Sequence, residues 1–179
     1  MMVNQNSING SEFRAFDELE SYRAERLKVI QLPLANRFYQ RCGYSVSCGR
    51  QEIVVCLRAI NEDHYPIVAA ARFLPHVDGY FVLRNLCVEL HQRRKGLARY
   101  LLERALKALG DEALCYCYAF EHLREFYQSV GFVVRSPTQV PAHIAQNYHS
   151  YCHKHRGLLL MSSDALLNSH SLAPLIYND

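Results

Sequence analysis

The chain has 179 residues, enough for one compact domain and too few for a second full one. Half of its residues are hydrophobic, so a substantial core can be buried. A net charge of +3 and a pI near 8.5 fall short of the dense basic stripe of a nucleic-acid binder, leaving nucleic acid a weak default partner and a small polyanion a compatible one.

The opening MMVNQNSINGSEF is polar and has no Lys or Arg before Arg14. It reads as neither signal peptide nor membrane anchor, so no membrane partner and a cytoplasmic location are expected. Residues 1–12 read as a disordered start, 13–163 as one domain and 164–179 as a tail. A helix is expected near Phe13 to Arg23 and a short strand over Leu27 to Leu32. Pro33 then opens a helix through Leu34, Phe38, Tyr39 and Cys42, with Gly43 as its stop. Glu52 to Ile60, Ile67 to Leu74 and Tyr80 to Glu89 are three β-branched or apolar runs. The polar turn NEDHYP and the pair Asp78-Gly79 join them into an antiparallel meander.

From Gly96 the apolar period becomes helical. Leu97, Ala98, Leu101, Leu102, Ala105, Leu106 and Leu109 form one wide stripe, Glu103 and Lys107 are spaced to pair, and Gly110 ends the helix. A strand at Ala113 to Ala119, a helix carrying Leu123, Phe126, Tyr127 and Val130, and a strand from Phe132 follow. A long polar connection from Pro137 to Arg156 leads to a last strand, Gly157 to Ser162. Strand, helix and strand over residues 80 to 119 imply a parallel crossover inside an otherwise antiparallel sheet.

The seven Cys are scattered through apolar segments, which suits free thiols in a reducing compartment. Cys115-x-Cys117 reads as strand packing. The stretch His143, His149, Cys152, His153, His155 fits no common zinc spacing, so no metal is expected.

The chemistry concentrates in LCVELHQRRKGLARYLLERAL: a strand, a basic turn Arg93-Arg94-Lys95-Gly96, then the strongest helix in the chain. Free amides and the positive end of the helix dipole point out of such a turn, the glycine lets a ligand approach the backbone, and three cations surround it. A pyrophosphate fits; a plain strand–turn–helix connection with no ligand fits the spacing as well.

Arg93 to Ala98 match the pattern [RQ]-x-x-G-x-[GA], and Phe126-Tyr127-Gln128-Ser129-Val130-Gly131-Phe132 resembles Y-x-x-x-G-F. In that order, about thirty residues apart and on these elements, the two motifs resemble the GNAT superfamily of N-acetyltransferases. The resemblance covers roughly residues 50 to 162. It implies an α/β fold of mixed type: a splayed, mostly antiparallel sheet of about six to seven strands with a parallel crossover, flanked by about four helices. It also implies acetyl-CoA as co-substrate and an amine acceptor, with direct attack in a ternary complex. A homodimer is compatible.

Carried over by position, the resemblance assigns Leu86, Cys87 and Val88 to the pantetheine arm and the amides of Arg93 through Ala98, including Leu97, to the pyrophosphate. Arg94, Lys95 and Arg99 add charge there or form a solvated surface. Tyr127 matches the tyrosine that protonates the departing thiolate, and it also lies on its helix's apolar stripe. Attack needs a neutral amine, yet the positions where relatives carry an acid are empty of one. Glu89 is the first candidate base, with His122 and Glu121 behind it, and a water relay is open. Arg84, Asn85 and His122 are candidate acceptor contacts, and the Val88 amide is the expected oxyanion donor. Two other readings stay open: acetylation of a protein or aminoacyl-tRNA amine, and a CoA-binding interaction module without turnover.

Overall fold

The computed structural model describes residues 19–110 and 113–163; the expected disordered start, most of the expected first helix and the tail lie outside them. Among the described residues seven strands form one sheet: β1 (Tyr22–Arg26), β2 (Ile53–Ala59), β3 (Ile67–Pro75), β4 (Phe81–Val88), β5 (Cys115–Phe120), β6 (Phe132–Val134) and β7 (Leu158–Ser163). Their order across the sheet is β1-β2-β3-β4-β5-β7-β6. Among the described residues four α-helices flank it: α1 (Leu32–Arg41), α2 (Leu97–Leu109), α3 (Arg124–Ser129) and α4 (Ala142–Lys154).

Strand alternation divides the core. Val55 and Leu57 pack with Leu97, Leu101, Tyr127 and Phe132 on the α2–α3 face. Their neighbours Val54 and Cys56 pack with Ala35, Phe38 and Tyr39 of α1 on the other face. Farther along that second face, Val82, Tyr116 and Leu160 meet Ile144 of α4. The sheet is thus a middle layer between two pairs of helices.

All strand pairs are antiparallel except β4–β5, which is parallel and restricted to Phe81↔Cys115 and Val82↔Tyr116. Beyond Val82 the two strands part. On its other side β4 carries a bulge: Arg72 faces Asn85 and Phe73 faces Leu83, so Arg84 is the extra residue. The sheet is therefore open along Leu83 to Val88, between its two halves.

Three expectations change. Tyr22 and Arg23, read as the end of a helix, lie in β1, because pairing along the free edge of β2 outweighs the helical propensity of SYRAER. The strand expected at Leu27 to Leu32 is replaced by a 3-10 turn at Val29–Gln31, after which Leu32 already begins α1. Pro33 in the first helical turn favours that entry, and the Gln31 Oε1 accepts the Lys28 N–H at 2.8 Å. The long polar connection contains a thirteen-residue helix, α4. Its inward positions Ile144, Tyr148 and Tyr151 have helical spacing, but two of the three are tyrosines, which weakens the apolar signal. Among the described residues no helix is long and apolar enough to cross a membrane.

Candidate active site

A cleft of about 570 Å³ opens where β4 and β5 diverge, lined by Leu86, Cys87 and Val88 of β4, the turn before α2, the first residues of α2, and His122, Leu123, Phe126 and Tyr127. Strand register orients the β4 backbone in it. Glu89 N–H donates to the Val68 carbonyl at 2.9 Å. In an antiparallel ladder alternate residues bond the neighbour, so Leu86 and Val88 turn their amides and carbonyls away from β3 and into the opening. One of these carbonyls has a partner: Arg93 Nε donates to Val88 O at 3.0 Å, folding the turn back onto the strand end.

The turn itself is wound by two left-handed residues, Arg94 at φ 64° and Gly96 at φ 76°. Gly96 is the N-cap of α2 and accepts the first helical bond from Tyr100 at 3.0 Å, leaving the amides of Leu97, Ala98 and Arg99 without intrahelical carbonyls. A Cβ added at Gly96 would meet no protein atom within 4 Å; the space over the turn is open to a ligand. Of the cations, Arg94 lines the cleft, as does Arg99, whose Nε also donates to Glu103 at 2.7 Å. Lys95 turns to Gln92 at 2.8 Å and is not among the lining residues. Gln92 also accepts the Tyr22 hydroxyl at 2.8 Å, which ties the turn to the edge strand. Gln92, Tyr44 and Phe126 complete the lining. The motifs do not mark Gln92 or Tyr44, and Tyr44 comes from the segment after α1.

Tyr127 is buried, and burial, followed by Cys117 and Cys115 nearby, pushes its phenol well above the ordinary range. It is therefore a neutral O–H donor at physiological pH, placed on the cleft wall. Of the candidate bases, His122 lines the cleft. Glu89 Oε1 sits 3.4 Å from Arg41 Nε, and Glu121 Oε1 sits 2.7 Å from Arg124. Neither carboxylate lines the cleft. Burial and the neighbouring Cys42 thiol push Cys87 up to about 12, which keeps it a thiol and a poor nucleophile.

Arg84 and Asn85 lie elsewhere on β4. They line a second cavity of about 240 Å³ together with Leu83, Tyr118, Phe120, Tyr151, His155 and Leu158. Phe120 of this cavity stacks on His122 of the first, with ring centroids 5.7 Å apart, so one aromatic pair stands between the two. The α2–α3 side thus holds the larger cleft, and α4 walls the smaller cavity.

A family model for the acetyltransferase (GNAT) domain matches residues 52–134. No curated protein sequence matches the chain. Among solved structures, Escherichia coli ElaA superposes with a TM-score of 0.55 at 18% identity, over 80% of this chain and 99% of that one. The ribosomal-protein-S18-alanine N-acetyltransferase of E. coli gives 0.57 at 19%, over 87% and 99%. The N-acetylglutamate synthase of Neisseria gonorrhoeae, solved with coenzyme A and N-acetyl-glutamate, gives 0.53 at 13%, over 78% of this chain and 34% of that one. At these identities the likeness is one of fold, and the family match falls on the strands, turn and helix that build the larger cleft. Residues 52–134 of the chain thus carry a match to the GNAT acetyltransferase domain.

Proposed function

We propose that the protein transfers the acetyl group of acetyl-CoA to a primary amine by direct attack in a ternary complex. The observation that carries this reading is the cleft's construction. Outward β4 backbone at Leu86 and Val88, the left-handed turn ending at Gly96, and the Tyr127 phenol share one wall-to-wall space. An extended amide-bearing arm suits the strand edge, and a pyrophosphate suits the turn and the helix N-terminus.

With the thioester seated along β4, the Val88 N–H is the donor for the carbonyl oxygen as charge develops, an interaction worth about 3 to 4 kcal/mol. The amine nitrogen enters from the α4 side and attacks the carbonyl carbon; the C–N bond forms and the C–S bond breaks. A protonated amine with a pKa of ~10.4 must first lose its proton, at a cost on the order of 4 kcal/mol near neutrality. His122, on the cleft wall and stacked on the aromatic that borders the second cavity, takes that proton in this reading. The ion-paired Glu89 is left to hold the end of β4 to α1. Tyr127 gives its proton to the departing thiolate, and the products are an amide and free CoA.

Thermal unfolding with acetyl-CoA, ADP or pantetheine tests the donor site. Acetyl-CoA at a hundred times its Kd should stabilise the fold by about 2.7 kcal/mol, more than either fragment. Thiol release on adding amines then tests turnover. No shift at millimolar acetyl-CoA would sink the reading.

A further inference from the structure

The smaller cavity carries information about the acceptor. Arg84 is the extra residue of the β4 bulge, which projects its side chain toward α4, where Nη1 donates to the Tyr151 hydroxyl at 3.0 Å. Its guanidinium carbon lies 6.0 Å from the Tyr151 ring centroid. The Tyr118 hydroxyl is fixed on the Ile144 carbonyl at 3.1 Å. The remaining walls are Leu83, Phe120, His155 and Leu158. Among the described residues no carboxylate lines this cavity.

That lining is the wrong one for a polyamine or a lysine-like dication, which needs acidic walls to compensate its second charge. It suits a molecule with one amine, an anionic group for Arg84 and an apolar body for the aromatic walls. At about 240 Å³ the cavity lies below the roughly 300–1,000 Å³ of sites for drug-sized ligands, so the occupant is small. Because Arg84 precedes Leu86 by two residues on one strand, roughly 7 Å along it, an anion held there directs the rest of the molecule toward the opening at Leu86 and Val88.

Resting on the reading of the larger cleft as the acetyl-donor site, we infer that the acceptor is a small amino-acid-type compound, a primary amine carrying a carboxylate and an apolar or aromatic body. Its carboxylate binds the Arg84 guanidinium, in place of or beside the Tyr151 hydroxyl. Arg84 is the specificity-determining residue: a planar fork of donors matches a carboxylate, and a lysine at this position would not reproduce the geometry.

The test separates this from the donor-site reading by measuring binding without turnover. N-acetylphenylalanine and its carboxamide differ at the carboxyl group and have no titrating amine. Calorimetry on the full chain, with and without CoA, should show the acid binding about 10- to 100-fold more tightly than the amide. In Arg84→Gln that ratio should fall toward one, and in Arg84→Glu it should invert, with CoA affinity and melting temperature as controls for folding. Equal binding of acid and amide by the unmodified protein, or an unchanged ratio in Arg84→Gln, overturns the proposal. If acetyl-CoA fails to bind, the donor reading fails while the acid-to-amide ratio on the CoA-free protein still decides this one. In turnover, phenylalanine should be acetylated in preference to putrescine, and the reverse order would also overturn it.

Discussion

The two cavities on either side of the sheet opening are built by different means. The larger cleft draws most of its lining from one stretch of chain, Leu86 to Arg99, with His122 to Tyr127 closing it. Much of its polar surface is backbone: outward strand amides, two left-handed turn residues and a helix N-terminus. The smaller cavity gathers side chains from β4, β5, α4 and the start of β7, and its polar chemistry lies in Arg84, Tyr118 and Tyr151. A backbone site constrains sequence at a few points, glycine foremost, whereas a side-chain site changes its ligand with each substitution. In the proposed reading, the first holds the donor and the second selects the acceptor.

The sharpest way to break that contrast is at Gly96. Gly96→Glu should weaken acetyl-CoA binding on the order of 100-fold or more, by filling the space above the turn and setting a carboxylate against a phosphate. Forcing a side chain into φ 76° also costs about 1–2 kcal/mol of stability. Gly79→Glu is the matched control, because Gly79 has φ 84° with equally open space at the β3–β4 turn. Both variants should melt a few degrees lower, and calorimetry should find CoA affinity lost in Gly96→Glu alone. Equal affinities would place the anion site off the turn.

Tyr127→Phe comes next, lowering kcat about 100-fold while leaving acetyl-CoA affinity within a factor of about two. Burial raises the phenol's pKa. The acid form therefore persists as pH rises through the ordinary tyrosine range, and the deficit should be constant up to about pH 9. A deficit seen in affinity instead would make Tyr127 a packing residue. His122→Gln is expected to cost about tenfold in kcat/KM. An unchanged kcat/KM would hand the proton to water or to Glu89.

How far each region can be read from the sequence follows the same division. The meander, the α2 stripe with its flanking glycines and the crossover are local patterns of period two or 3.6, and they lie within a residue or two of β2 to β5 and α2. The turn Arg93 to Gly96 was legible for the same reason. β1 was not, since its strand character comes from pairing with β2 across some thirty residues. Nor was α4, whose inward residues are tyrosines that hydrogen-bond as well as pack: Tyr148 to the Leu158 carbonyl at 2.9 Å, Tyr151 to Arg84. Glu89 could be picked as a candidate base from its place at the strand end, whereas Arg41 of α1 is brought beside it only by the fold. Arg84 and Asn85 could be picked from their strand, but their neighbours Tyr118, Tyr151 and His155 are contributed by elements far along the chain.

The smallest effect probes the side-chain site where it is subtlest. Tyr151→Phe keeps the ring beside Arg84 and removes the hydroxyl that accepts its Nη1 proton. If the hydroxyl's task is to aim the guanidinium, the acid-to-amide preference should drop by about three- to tenfold, the loss of one hydrogen bond to a charged group at a half-open site. CoA affinity should not change, because Tyr151 lines only the smaller cavity of the two. If the hydroxyl instead competes with the ligand for Arg84, the preference should rise. Either direction fixes whether the cavity holds Arg84 ready for an anion or withholds it until one arrives, a distinction that a site made of backbone amides does not present.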